Sequence, residues 1–182
     1  MNEAGLVEHY RAMARNNAWS NLRLHRACGR LGEPEYTAER TSFFPSIHST
    51  PNHILIVDLL YLERLERKAE AYRDPGDELY GDLPGLTRAQ GAADRRLIGF
   101  CAALRGPDLD AELTLFRRDG VKIDRVGAVL PNLFVHQIHH RGQVHAMLAG
   151  SAVAPPQLDE FFLAEDAPLR RAELEALGLD SA

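Results

Sequence analysis

Four long segments carry apolar side chains at helical spacing, and this pattern limits the fold more than any other feature of the chain. They run from about Gly5 to Leu31, from Ser46 or Thr50 to about Ala71, from an N-cap at Thr87 to about Leu104, and from about Arg125 to Leu148. Apolar residues that recur every three or four positions form a helix stripe that must pack against a neighbour. The 182 residues therefore predict one all-α domain over 1–182, a four-helix bundle.

The segment before the fourth helix has a different pattern, which is typical of a short β-hairpin. Glu112–Arg118 alternates weakly between polar and apolar residues, Asp119-Gly120 is a strong two-residue turn, and Val121–Ile123 forms the returning strand. Further along, the apolar residues between Leu158 and Leu163 predict a C-terminal tail that packs on the bundle. A last short helix is expected near Pro168 to Leu177.

Composition argues against several classes of function. The net charge is -5, with 45% hydrophobic and 26% charged residues, and no basic stripe indicates a nucleic-acid partner. No apolar run approaches the length of a membrane span, and the polar N-terminus lacks a signal-peptide core, so we expect a cytoplasmic protein without a membrane partner. Cys28 and Cys101 lie in helical apolar patterns without CxxC spacing, which predicts reduced core thiols.

Three histidines, His136, His139 and His140, fall within five residues of the fourth helix. His136 and His140 are four apart, so they lie one turn apart on the same side, at a spacing that allows two imidazoles to bind one metal ion. His140 projects near the middle of the apolar face and His136 lies at its edge, whereas His139 points away. Each inward imidazole could hydrogen-bond a neighbour instead. A metal ion would satisfy both, and burying an unpaired polar group costs roughly 1–3 kcal/mol.

The third ligand is predicted to be His53, near the start of the second helix. It shares a helical face with Ile56, and bundles build metal sites from the facing sides of neighbouring helices. His48 is five residues earlier and is interpreted as a capping or surface residue. His9 and His25 are interpreted as helix-surface residues.

Three histidines without an evident carboxylate partner leave coordination positions open, which is typical of a catalytic metal site. Imidazole ligands suit zinc, nickel, copper or iron. An ion of this kind could lower the pKa of a bound water or thiol and so create a nucleophile near neutral pH. No general base is assigned. Gln143 and Arg141 could orient ligands or substrate, but Arg141 could equally form a surface salt bridge or a dimer contact. Gly142 is interpreted as a position of close helix packing.

Particular sequence motifs carry a resemblance to a known family. They are Asn52-His53-Ile54, His136-x-x-His139-His140-Arg141-Gly142-Gln143, Pro155 to Phe162, and Trp19-Ser20-Asn21. Together with the hairpin, these motifs resemble the DinB family, a damage-inducible four-helix-bundle superfamily related to bacterial thiol transferases. The likeness extends over nearly the whole chain, and its most specific part is the HxxHHRGQ motif.

The resemblance implies one divalent metal ion, often zinc or nickel, bound by His53, His136 and His140. It also implies a homodimer, and relatives include mycothiol-dependent isomerases and bacillithiol S-transferases, which use a small-molecule thiol and an electrophilic substrate. A non-catalytic metal- or ligand-binding stress protein stays open as the alternative. An open coordination position beside a lined pocket would favour the enzyme, and a site sealed by apolar side chains would favour the alternative. Pro51 departs from the family pattern, so the second helix either starts at Thr50 or bends around Pro51.

Overall fold

The computed structural model describes residues 2–68, 74–117 and 120–179, and its helices form the predicted all-α four-helix bundle. Its elements are α1 (Glu3–Cys28), α2 (Glu33–Thr37), α3 (Ser49–Leu65), α4 (Leu83–Ala103), β1 (Glu112–Arg117), β2 (Gly120–Arg125), α5 (Val126–Ala149) and α6 (Ala167–Ala176), with short 3-10 helices at Gly106–Asp110 and Ala164–Asp166. Both α1 and α3 contact α4 and α5, so the four long helices close a ring around the core. No helix in the described part of the chain has the length and apolar character to cross a membrane.

The boundaries of α3 and α4 differ from the sequence-based expectation for local chemical reasons. α3 begins two residues before Pro51, so proline occupies the first turn, where its missing N–H removes no helical hydrogen bond. α3 ends at Leu65, and the predicted end near Ala71 falls outside the described residues. α4 begins directly after Asp82, whose carboxylate accepts a hydrogen bond from the Gly85 N–H at 2.7 Å. The predicted N-cap at Thr87 is therefore wrong.

A proline inside α5 creates a contact between α5 and α1. Pro131 has no N–H to donate to the carbonyl of Gly127, four residues earlier in the helix. The hydroxyl of Tyr10 on α1 donates to that carbonyl at 3.2 Å. The gap in the helical hydrogen bonds is thus filled from the neighbouring helix, just before the stretch of α5 that carries the histidines.

Two apolar clusters fill the bundle. The larger cluster includes Leu55, Leu130 and Cys101, and the smaller one includes Cys28 and Leu148. Both cysteines are buried and free, as the sequence predicts.

The β-hairpin before α5 is confirmed. β1 and β2 pair antiparallel with Glu112 opposite Arg125, and Leu113 and Leu115 point into the larger apolar cluster. Asp119 of the predicted turn lies outside the described residues. The loop after α1, in contrast, contains the short helix α2, which was not predicted. Five residues with a proline in the first turn give too little periodicity to detect.

The C-terminal tail packs on α1, as predicted. Trp19 is completely buried; its ring centroid is 5.6 Å from that of Phe161, and its Nε1 donates to Glu173 at 2.7 Å. Arg23, one turn further along α1, donates to Glu173 at 2.7 Å and to Glu160 at 2.9 Å. The tail therefore covers the side of α1 that carries Trp19 and Arg23.

Candidate metal centre

The structure brings His53 of α3 together with His136 and His140 of α5. The ring centroids lie 5.0 Å apart for His53 and His136, 4.5 Å for His53 and His140, and 4.4 Å for His136 and His140. One ring nitrogen of each histidine lies within 4.8 Å of the other two. All three predicted ligand residues thus converge, because α3 packs on α5 and the two α5 histidines are one turn apart.

A backbone carbonyl fixes the ring of His53. Its Nδ1 lies 2.7 Å from the Pro75 oxygen, and a carbonyl only accepts, so Nδ1 carries the hydrogen and Nε2 keeps its lone pair. Asn52 anchors the loop that supplies this carbonyl, because its side chain donates to the Tyr80 oxygen at 3.1 Å and accepts from the Tyr80 N–H at 3.0 Å. The Asn-His motif therefore supplies both a ligand and the anchor that orients it.

A glutamine side chain fixes the ring of His140 in the same way. Its Nδ1 lies 2.8 Å from the Gln143 Oε1, so Nδ1–H donates and Nε2 keeps the lone pair. The amide orientation is supported by the other end of Gln143, whose Nε2 lies 3.1 Å from His139 Nε2. Metal-binding histidines usually donate their second ring N–H to such a partner, which sets the tautomer.

His136 completes the cluster and carries an unsatisfied nitrogen. Its Nε2 lies 3.0 Å from the Nε2 of His53, while its Nδ1 is buried without a hydrogen-bond partner in the described part of the chain. His53 Nε2 holds a lone pair. If the hydrogen of His136 is on Nδ1, its Nε2 also holds a lone pair, and the two lone pairs face each other. A metal ion resolves that repulsion, and tetrahedral bonds of about 2.0–2.1 Å separate two ligand nitrogens by about 3.3 Å. The three residues therefore fit a metal ion.

All three imidazoles are neutral at physiological pH, because burial lowers their pKa values. Burial lowers the pKa of His53 and of His140, although the hydrogen bonds to Pro75 and Gln143 partly oppose this effect. Burial, together with the charges of neighbouring histidines, lowers the pKa of His136 to about 3. Only the neutral ring can bind a metal, so these shifts favour ligation.

One aromatic side chain packs against two of the three histidine rings. The Phe44 ring centroid lies 4.2 Å from that of His53 and 5.7 Å from that of His140. The ligand cluster found among the described residues contains three histidines and no carboxylate. Three protein ligands leave a coordination position for water or substrate.

A cavity of about 460 Å³ adjoins the cluster through Gln143 and is also lined by Arg40, Phe43 and Met147. A larger cavity of about 620 Å³ lies near α1, α2 and the start of α4, and none of the three clustered histidines lines it. None of the three clustered histidines lines the smaller cavity either, and its link to the cluster is Gln143, which accepts a hydrogen bond from His140 Nδ1.

Four of the five other histidines divide into two groups, and the fifth, His145, has its Nε2 3.1 Å from the Pro156 carbonyl oxygen. His9 and His139 are exposed, as predicted. The surface prediction for His25 is wrong, because its side chain is buried against a polar partner from another element. His48 takes the N-cap position of α3, in agreement with the capping alternative, but its side chain is buried and does not cap the helix. His48 Nε2 lies 3.0 Å from a backbone carbonyl, and His25 Nδ1 lies 2.9 Å from the Thr87 hydroxyl. Such partners lie far along the chain, so helical spacing does not reveal them.

Arg141 and Gly142 also differ from expectation. Arg141 is only 4% exposed and donates to the side-chain oxygens of Asn17 and Asn21 on α1, so it forms neither a surface salt bridge nor an exposed contact. A Cβ atom added to Gly142 would meet nothing within 4 Å, so this glycine does not serve close helix packing within the chain.

A buried polar network, which helical periodicity did not predict, lies beside the histidine cluster. Gln90 donates to Asp58 at 2.7 Å and to Asp94 at 3.2 Å, and Gln137 donates to Asp58 at 2.8 Å. Burial, and then the neighbouring Asp94, raise the pKa of Asp58 to about 7, and burial raises that of Asp94 to about 6. The sequence signal for such a network is the presence of polar residues on otherwise apolar helix faces. With Arg141, the network joins all four long helices.

The comparisons with known proteins agree with this fold. The crystal structure of a DinB-like protein from Bacillus cereus ATCC 10987 matches with a TM-score of 0.60, covering 76% of this chain and 90% of that chain at 14% identity. At this identity the similarity concerns the fold alone. No curated protein gives a significant match. The model of the DinB family matches residues 1–173, and the chain therefore belongs to the DinB family.

Proposed function

We propose that this chain binds one divalent metal ion through His53, His136 and His140 and uses it to activate a low-molecular-weight thiol for S-transfer or isomerisation of an electrophilic small molecule. The observation that carries the proposal is the convergence of three neutral imidazoles, two of which have their second nitrogen fixed by Pro75 and Gln143. This arrangement of ligand and supporting partner is typical of metal sites.

The donor set limits the metal and its chemistry. Imidazole nitrogens suit zinc, nickel, copper or iron, and we place zinc and nickel first on the family resemblance. A bound divalent ion lowers the pKa of a coordinated thiol, which supplies the nucleophile near neutral pH. The chain's own contribution is positional: Pro75 and Gln143 hold two rings, and Phe44 packs against the same two rings.

A cavity beside the cluster favours an enzyme over a non-catalytic metal-binding stress protein. Gln143 contacts His140 at 2.8 Å and also lines the cavity of about 460 Å³. A substrate held there would contact Gln143, the side chain that orients the ring of His140. A purely binding or storage role would need no such adjoining space.

The test combines metal content with thiol chemistry. Protein purified without an affinity tag is analysed for metals, loaded with zinc or nickel, and mixed with a series of small thiols and an aryl chloride. In the expected reaction the thiolate sulfur bonds to the ring carbon, chloride leaves, and the thiol proton passes to solvent. Stoichiometric metal with thiol-dependent chloride release supports the proposal. Metal without turnover favours the alternative of a non-catalytic metal- or ligand-binding stress protein, and absence of metal binding contradicts the proposal.

A further inference from the structure

The cavity beside the metal centre has a cation and an exposed aromatic ring on the same loop. Arg40 and Phe43 follow α2, and Phe43 is 79% exposed, while the opposite wall is formed by Gln143 and Met147 of α5. Gln143 lies three residues beyond His140, or about 4.5 Å along the helix axis. None of the three clustered histidines lines the cavity, so Gln143, whose Oε1 accepts from His140 Nδ1, is the side chain that links the cavity to the cluster.

Contacts along one side fix the guanidinium of Arg40. Its Nη2 donates to the Glu35 carbonyl at 2.8 Å and lies 3.4 Å from the Glu35 carboxylate. Its backbone N–H donates to the Pro45 carbonyl at 2.7 Å, and its side chain is only 17% exposed. The cation is thus held in position before any ligand arrives, which reduces the entropy lost on binding.

The remaining nitrogens of Arg40 lack acceptors among the described residues. Nε is buried without a hydrogen-bond partner, and Nη1 is neither bonded nor buried. The neighbouring Glu35 carboxylate is 49% exposed and contacts only Nη2, so it leaves these donors unused. Nε has almost no accessible surface, so a ligand in the cavity would reach Nη1, a cationic donor that favours an anionic acceptor.

We propose that this cavity is a carboxylate-binding subsite, in which Arg40 holds the acid group of a small-molecule thiol. A planar guanidinium matches a carboxylate in shape and charge, and Phe43 supplies an apolar surface for the carbon chain of the same molecule. The identity of the reacting group rests on the proposed function. Recognition of the carboxylate requires only Arg40 and the cavity.

The first test compares an acid with its neutral amide. N-acetylcysteine and N-acetylcysteinamide are titrated against zinc-loaded protein by calorimetry, and the acid is expected to bind at least about tenfold more tightly, as for one charge-assisted hydrogen bond. Arg40→Gln should remove this preference. The matched control is Arg88→Gln, at an exposed position on α4, which should retain it.

A second variant separates recognition from a structural role of Arg40. Glu35→Gln removes the carboxylate that competes for the guanidinium and keeps the backbone carbonyl that positions Nη2. The acid should then bind more tightly than it binds the wild-type chain, while affinity for the amide stays unchanged. If Arg40 only held the loop in place, this substitution would weaken both ligands or change neither.

The same comparison with the S-methyl derivatives on chelator-treated protein isolates the subsite from metal chemistry. Equal binding of acid and amide to the wild-type chain, or an acid preference that survives Arg40→Gln, would overturn the inference. An acid preference without any thiol turnover would leave the subsite standing and count against the proposed function. Thiol turnover without an acid preference would do the reverse.

Discussion

Replacing Arg141 with methionine is expected to destabilise the bundle strongly, although Arg141 is not a predicted metal ligand. The guanidinium is 4% exposed and donates to Asn17 and Asn21. Burial lowers the pKa of Arg141 to about 10, an effect that the charges of Asp58 and Asp94 oppose, so the side chain is cationic at neutral pH. Methionine retains much of the aliphatic volume and removes the charge and the donors.

The size of the loss follows from the charges left behind. Removing one partner from a buried ionic group costs about 3–5 kcal/mol, because the remaining charge has no counterion. Here two buried carboxylates, Asp58 and Asp94, would lose their buried cation. The free energy of unfolding is typically roughly 5–15 kcal/mol, so the variant should fold but be clearly weakened.

The loss should also depend on pH. The folded pKa values of Asp58, about 7, and Asp94, about 6, lie above that of an unfolded aspartate, about 3.9. The folded chain therefore binds more protons than the unfolded chain between these values, and the stability contributed by these groups falls as pH rises through that window. Without Arg141 both pKa values should rise further. The difference between variant and wild type should thus be largest near about pH 8 and smaller near about pH 5.

Urea denaturation of chelator-treated proteins at both pH values measures this difference, and the shared titration of the histidines cancels. Asp58→Asn is the matched control, because its new NH₂ group can donate to the side-chain oxygens of Gln90 and Gln137, which are buried without partners. We expect it to change stability by less than about 1 kcal/mol near neutral pH. A loss below about 1 kcal/mol in Arg141→Met, or an equal loss at both pH values, would refute the reasoning.

Three further predictions concern the metal centre and the assembly. Metal affinity should weaken at acidic pH, below the range near about 6.5 in which free histidine titrates, because burial lowers the pKa of all three ligands. His136, with its pKa of about 3, should stay neutral longest, and an affinity that stays unchanged in a competition titration until the chain unfolds in acid would argue against histidine ligands. Gln143→Leu should lower metal affinity by about 10–100-fold without unfolding the chain, since it removes only the partner of His140 Nδ1, and unchanged affinity would contradict that role. We also expect a homodimer, because Val135 and Ile138 expose apolar surface on α5; light scattering that reports 20.3 kDa instead of twice that mass would contradict it.

Periodicity predicted the bundle because long amphipathic helices bury their apolar stripes in only a few ways. The same periodicity placed His53 and His140 on inward faces and His136 at the edge of one, and the structure brings these residues together. Helix boundaries were less predictable. The N-cap of α4 was assigned to Thr87, although Asp82 followed within two residues by a proline is a stronger start signal.

Long-range polar contacts were beyond the sequence pattern. His25 and His48 fall at positions that suggested a surface, yet both are buried because Thr87 and the Tyr80 carbonyl satisfy them from distant parts of the chain. Arg141 likewise pairs with residues more than a hundred positions away, on α1. Hydrogen-bond partners that come from different helices leave no periodic trace in either segment. The partners of these buried polar side chains are therefore visible only in the structure.

Metal content of the purified chain tests the central claim most directly. The wild-type protein, His140→Ala and His139→Ala are purified without a tag, loaded with zinc or nickel, dialysed and analysed by mass spectrometry for metals. The wild type and His139→Ala should retain one ion per chain, because His139 lies exposed outside the ligand cluster, and His140→Ala should lose it, because three ligands become two. Loss of the ion in His139→Ala with retention in His140→Ala, or no binding by the wild type, would contradict the three-histidine centre.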